Sequence, residues 1–194
     1  MSSIQNPLQS LLDQAAALPP SGALKPYEQR IHPTSKKISD QSILLLDFSG
    51  SMGQWCGADR KIEVLKKAIA PIQSQYKILA FSSTTEWIGS SYPEPQGGTA
   101  LHLAIAVAAS IRPRQTLIVS DGQPDDQRQA LAEAKKLVGT ISTLYIGSDS
   151  DKEAIAFMAK LARLGCGDAY VQDLAKGHLA LGQKIQNLLQ AGQA

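Results

Sequence analysis

The stretch Ser42-Ile43-Leu44-Leu45-Leu46-Asp47-Phe48-Ser49-Gly50-Ser51-Met52-Gly53 constrains this chain more than any other. A short, continuous apolar run is the pattern of a strand covered on both faces, as in parallel sheets. Here the run finishes in an aspartate with hydroxyls two and four residues later. Polar oxygens taken out of water need partners. Hard oxygen donors gathered at the carboxyl end of a buried strand point to a metal ion at the top of an α/β sheet.

The rest of the chain supplies such a sheet. Ile43 to Leu46 is predicted as the first strand, with a helix near Asp59 to Ala70 whose Ile62, Leu65 and Ile69 face inward. Lys77 to Phe81 is a second strand, and Thr85 to Gly89 has the mixed polarity of an edge strand. Gly97-Gly98-Thr99 opens an alanine-rich helix to about Ile111. Thr116 to Ser120 is a second fully apolar strand ending at an aspartate, Asp121. Asp125 and Asp126 mark a helix start, and that helix reaches about Val138. A strand at Thr140 to Ile146, a helix at Lys152 to Leu164, a short strand at Tyr170-Val171 and a helix at Leu174 to Leu189 complete the chain. Alternating strands and helices imply an α/β fold: a doubly wound, mostly parallel sheet with one antiparallel edge strand and helices on both faces. Residues 41–194 form this domain. Residues 1–40 read as an N-terminal arm, with one short helix on Leu8, Leu11, Leu12, Ala15 and Leu18 closed by Pro19-Pro20.

Composition excludes several classes. A chain of 194 residues suits one domain, and a net charge of +2 with scattered Lys and Arg argues against nucleic-acid binding. Cys56 and Cys166 lie far apart and outside any metal-ligand spacing, so neither a disulfide scaffold nor secretion is expected. No apolar stretch is long enough to span a bilayer, and no signal peptide is recognisable. A soluble cytoplasmic protein is expected, with no nucleic-acid or membrane partner.

Three segments of the predicted fold converge on one sheet edge. Asp47, Ser49 and Ser51 follow the first strand, Thr99 lies at a helix start, and Asp121 ends a later strand. Two carboxylates and three hydroxyls suit Mg²⁺, with Mn²⁺ or Ca²⁺ also admissible, while zinc and copper call for nitrogen or sulfur. The order Asp47-x-Ser49-x-Ser51, Gly98-Thr99, Ser120-Asp121-Gly122 resembles the metal-ion-dependent adhesion site of von Willebrand factor type A domains, in the form of an intracellular bacterial-type member. The resemblance spans residues from about 40 to 190 and matches all five ligand positions in type and order. It implies that Ser49, Ser51 and Thr99 supply hydroxyls, that Asp47 and Asp121 act largely through water, and that a partner's Glu or Asp completes the shell. It further implies a protein partner such as an AAA-type ATPase or a stress-resistance complex.

The expected function is therefore a non-enzymatic, metal-dependent protein-interaction module. The alternative is a Mg²⁺-dependent phosphoryl or phosphodiester hydrolase using the same site. That activity needs a cation aimed at the phosphate, and Arg60 and Lys61 are expected to turn outward. No phosphate loop or nucleophile elbow occurs in the sequence. His102, one helical turn after Thr99, is expected beside the site or at the surface. Trp55 and Tyr92 are candidates for an apolar rim. Asp149 and Asp151 read as a helix cap, and Cys56 as a free, partly exposed thiol.

Overall fold

The computed structural model describes residues 38–191. The helix expected in the arm lies outside the described residues. A six-stranded sheet runs in the order β5-β4-β1-β6-β7-β8. Its strands are β1 (Ser39–Asp47), β4 (Lys77–Phe81), β5 (Thr85–Trp87), β6 (Pro113–Ser120), β7 (Thr140–Tyr145) and β8 (Cys166–Val171). All neighbours are parallel except β5, which pairs antiparallel with β4 at the edge. This is the doubly wound α/β architecture expected from the sequence.

Strand β1 explains why the sheet has two cores. Alternate side chains point to opposite faces, so Leu44 and Leu46 join one cluster and Ile43 and Leu45 the other. The first cluster is closed by α1 (Lys61–Ile69) and α5 (Gly177–Ala191), through Ile62, Leu65, Leu181 and Ile185. The second is closed by α2 (Leu101–Ile111), α3 (Gln127–Ala134) and α4 (Lys152–Leu164). Small residues Ala104 and Ala108 let α2 approach closely. None of the helices among the described residues is long and apolar enough to cross a membrane.

Several elements extend beyond their predicted bounds. Strand β1 starts at Ser39, whose N–H donates to Arg112 O at 2.8 Å, so residues assigned to the arm belong to the sheet. Strand β6 starts at Pro113, a residue tolerated at the first position of a strand. Strand β8 begins at Cys166, hidden from pattern reading because its edge position leaves it largely exposed. A two-stranded hairpin, β2 (Trp55–Cys56) and β3 (Asp59–Arg60), replaces the predicted start of the first helix.

Candidate metal-binding site

The strand order reverses at the β1–β6 pair: the chain leaves β1 for β4 on one side and later returns to β6 on the other. Ligand sites of doubly wound sheets lie at the carboxyl ends of such strands. Asp47 closes β1, and Asp121 follows the last residue of β6.

Four of the five predicted donors are joined by direct side-chain or backbone hydrogen bonds. Asp47 Oδ1 accepts the Ser49 N–H at 2.8 Å. The Ser49 and Ser51 hydroxyls lie 3.0 Å apart, and the Ser51 hydroxyl donates to Asp121 Oδ1 at 2.8 Å. The segment leading to Thr99 is brought alongside through its backbone. The Gly50 N–H donates to Gly97 O at 3.0 Å, and the Gln96 N–H to Phe48 O at 3.0 Å, so the loop before Thr99 is sewn to the loop after β1. Asp47, Ser49, Thr99 and Asp121 are all buried.

Two glycines are required by this arrangement. Gly97 has a φ of +69°, a region that suits a residue without a Cβ. At Gly98 a Cβ would collide with the Asp125 carboxylate, which accepts the Thr99 N–H at 2.9 Å. Asp125 therefore pins the Thr99 loop rather than starting a helix. The helix start falls to Asp126, whose carboxylate accepts the Gln129 N–H at 2.8 Å. Asp151 likewise caps α4 through the Ala154 N–H at 3.0 Å, as expected.

Two residues singled out in the sequence take roles at the site that their pattern did not assign. Ser120 donates its hydroxyl to Asp47 Oδ2 from the neighbouring strand. The signal was present: Ser120 is the one hydroxyl in the Leu117–Ser120 end of an otherwise apolar strand. The second is Lys61, whose ammonium lies 2.6 Å from Asp121 Oδ2 and 3.2 Å from Gln54 Oε1. The expectation that Lys61 turns outward is thus corrected. The β2–β3 hairpin delays α1 by two residues and returns the chain to Gln54, whose carbonyl accepts the Lys61 N–H at 2.9 Å. Lys61 is thus the first helical residue, where a side chain leans back towards the helix N-terminus and so towards the strand ends. Arg60 points elsewhere, to Glu63 at 3.2 Å and Glu94 at 3.4 Å.

The rim differs from side to side. Trp55 is 73% exposed on the hairpin. Tyr92 is half-buried and stacks on Phe48, with ring centroids 6.3 Å apart, so it covers the core. His102 is partly exposed, with a buried Nδ1 that has no hydrogen-bond partner. Cys56 is partly buried against the core.

Burial pushes the Asp47 carboxyl up to about 6, with the Asp121 charge adding to the rise. Hydrogen bonds from Ser120 and Ser49 oppose it. Two buried carboxylates beside three hydroxyl-bearing residues make a hard, anionic donor set, and an ammonium already stands against one of them. That chemistry fits a small divalent cation. Among the described residues, no group of three or more His, Cys, Asp or Glu side chains is placed to hold a metal, so any metal here depends on the hydroxyls.

No family model matches the sequence, and no curated protein matches it. Solved structures do share its fold. A von Willebrand factor type A protein from Catenulispora acidiphila superposes with a TM-score of 0.66 at 15% identity, covering 80% of this chain and 43% of that one. The pilus adhesin SpaC from Lactobacillus rhamnosus GG superposes with a TM-score of 0.61 at 13% identity, covering 81% of this chain and 31% of that one. The chain spans less than half the length of each. Its fold is von Willebrand factor A-like.

Proposed function

We propose that this von Willebrand factor A-like domain is a metal-dependent protein-interaction module. Asp47, Ser49, Ser51, Thr99 and Asp121 would hold Mg²⁺, with Mn²⁺ or Ca²⁺ able to substitute, and a Glu or Asp of a partner protein would complete its shell. What supports this reading is the meeting of three separate chain segments, all bearing hard oxygen donors, at the strand-order reversal. Bound Mg²⁺ would supply an electrophilic centre for the partner's carboxylate, since two carboxylates and neutral hydroxyls leave it with residual positive charge. The chain's own residues do the positioning. Ser120 and the Ser49 N–H orient Asp47, and Asp125 fixes the loop that carries Thr99. Trp55, exposed on the hairpin that leads into Lys61, would offer apolar contact to the partner. One structural neighbour is itself a pilus adhesin. A cytoplasmic setting and a multi-protein partner, such as an AAA-type ATPase or a stress-resistance complex, belong to the same reading.

The test is partner capture with and without EDTA, using the wild-type chain and Asp47→Ala. The module predicts capture that requires Mg²⁺ and is lost in the variant. Equal capture under all conditions would sink it. The position of Lys61 favours a second reading, a Mg²⁺-dependent phosphoryl or phosphodiester hydrolase, because it places a cation where a phosphate could be met. Turnover of simple phosphate esters with Mg²⁺, lost in Lys61→Met, would select it.

A further inference from the structure

We infer that Lys61 is a resident counter-cation of the site, which a divalent ion must displace from Asp121, so that this one side chain sets how tightly the domain takes metal. The inference rests on the metal-binding reading above and concerns its regulation.

The pairing is built rather than incidental. The Lys61 side chain is 17% exposed and the Asp121 side chain 0%, so the 2.6 Å contact lies largely out of solvent. Surface ion pairs of long side chains contribute little, but a shielded pair at this distance is strongly coupled. The geometry holds Lys61 from two directions. Its backbone N–H is fixed on Gln54 O, and its ammonium reaches the Gln54 side chain at 3.2 Å. The nearby lysines are engaged elsewhere, Lys66 with Glu63 and Glu94, and Lys67 with Asp59. Lys61 alone of these three contacts a residue of the donor set.

The two states of the site follow from charge. Without a divalent ion, Asp47 and Asp121 are carboxylates in one buried cluster, and the ammonium offsets part of their repulsion. A divalent ion held by this donor set, directly or through water, would place two further positive charges near the ammonium that stands on Asp121. Like charges at such range repel strongly even where the effective dielectric is high. Lys61 must then leave Asp121, keeping Gln54 as its remaining partner, or the ion binds weakly. The displaced ammonium stays at the rim, where a partner's carboxylate would arrive.

The experiment is calorimetric titration of the full chain with Mg²⁺ and separately with Mn²⁺, for wild type, Lys61→Met, Lys61→Gln and Asp47→Ala. The glutamine variant keeps a hydrogen-bond donor without charge, so the question stays answerable if methionine compromises folding. Lys61→Met and Lys61→Gln are expected to bind either ion about tenfold more tightly, or better. In EDTA they are expected to melt below wild type, and to gain more than wild type when Mg²⁺ is added. Metal bound by wild type with equal or greater affinity than by the Lys61 variants overturns the inference and leaves the metal reading standing. No binding by wild type or by either Lys61 variant, or binding undisturbed in Asp47→Ala, overturns the metal reading and this inference with it.

Discussion

The Ser120 hydroxyl donates to Asp47 Oδ2, tying the ends of the two central strands β1 and β6 by their side chains. Asp47 is wholly buried, and its other oxygen is already taken by the Ser49 N–H. Removing a donor from a buried carboxylate costs more than one ordinary hydrogen bond, because the acceptor loses both water and partner. Ser120→Ala should therefore destabilise the domain by about 1–3 kcal/mol. Urea denaturation at neutral pH in EDTA measures this; an unchanged midpoint and slope would show that Asp47 finds another donor.

Asp47 also predicts how stability varies with pH. Its carboxyl is raised from an ordinary 3.8 to about 6 by burial. The folded state then binds more protons than the unfolded state between those values, so stability falls as pH rises through that window. The contribution is fully present below the lower value and lost above the upper one. It amounts to something on the order of 3 kcal/mol. The stability difference between wild type and Asp47→Asn should shift by that order between pH 4 and 7, and a pH-independent difference would contradict it.

Gly98 and Asp125 should be energetically coupled. A methyl at Gly98 runs into the Asp125 carboxylate that holds the Thr99 N–H. Overfilling such a contact typically costs about 1–3 kcal/mol. Gly98→Ala should lose that much in the wild-type background and clearly less beside Asp125→Ala, where the obstructing carboxylate is gone. A double-mutant cycle reads the coupling, and strict additivity would place the strain elsewhere.

Metal should stabilise the fold by mass action. An ion that binds only the folded state, present about 100-fold above its Kd, adds about 2.7 kcal/mol. Thermal melting with Mg²⁺ against EDTA should show this in wild type. Asp121→Ala, which removes the oxygens that meet Ser51 and Lys61, should abolish the gain.

The sheet and its helices were legible because their residues obey one period each. Lys77–Phe81 and Lys152–Leu164 have the predicted bounds, and the Ile62, Leu65, Ile69 stripe is buried as expected. The proposed donors were legible because polar residues at the end of an apolar strand have few other reasons to be there. The hairpin at Trp55–Arg60 was not, since two-residue strands carry no periodicity and its turn depends on Gly57 at a φ of +70°. Lys61 was misplaced with it: because the hairpin ends at Arg60, Lys61 becomes the first helical residue and its side chain reaches back past the helix end to Asp121. Asp125 was read by its neighbour's role, because two adjacent aspartates before a helix look alike until one of them caps a different loop.

The bond from Ser51 to Asp121 joins residues 70 apart in the chain. On a ribosome, the first cluster of donors would therefore emerge well before the second, at a synthesis rate of about 5–20 residues per second. In that interval the nascent chain holds Asp47, Ser49 and Ser51 but has no β6 beside β1 to gather the rest. A half-made chain cannot present the complete donor set, so competence to bind would mark a chain that has reached and paired β6.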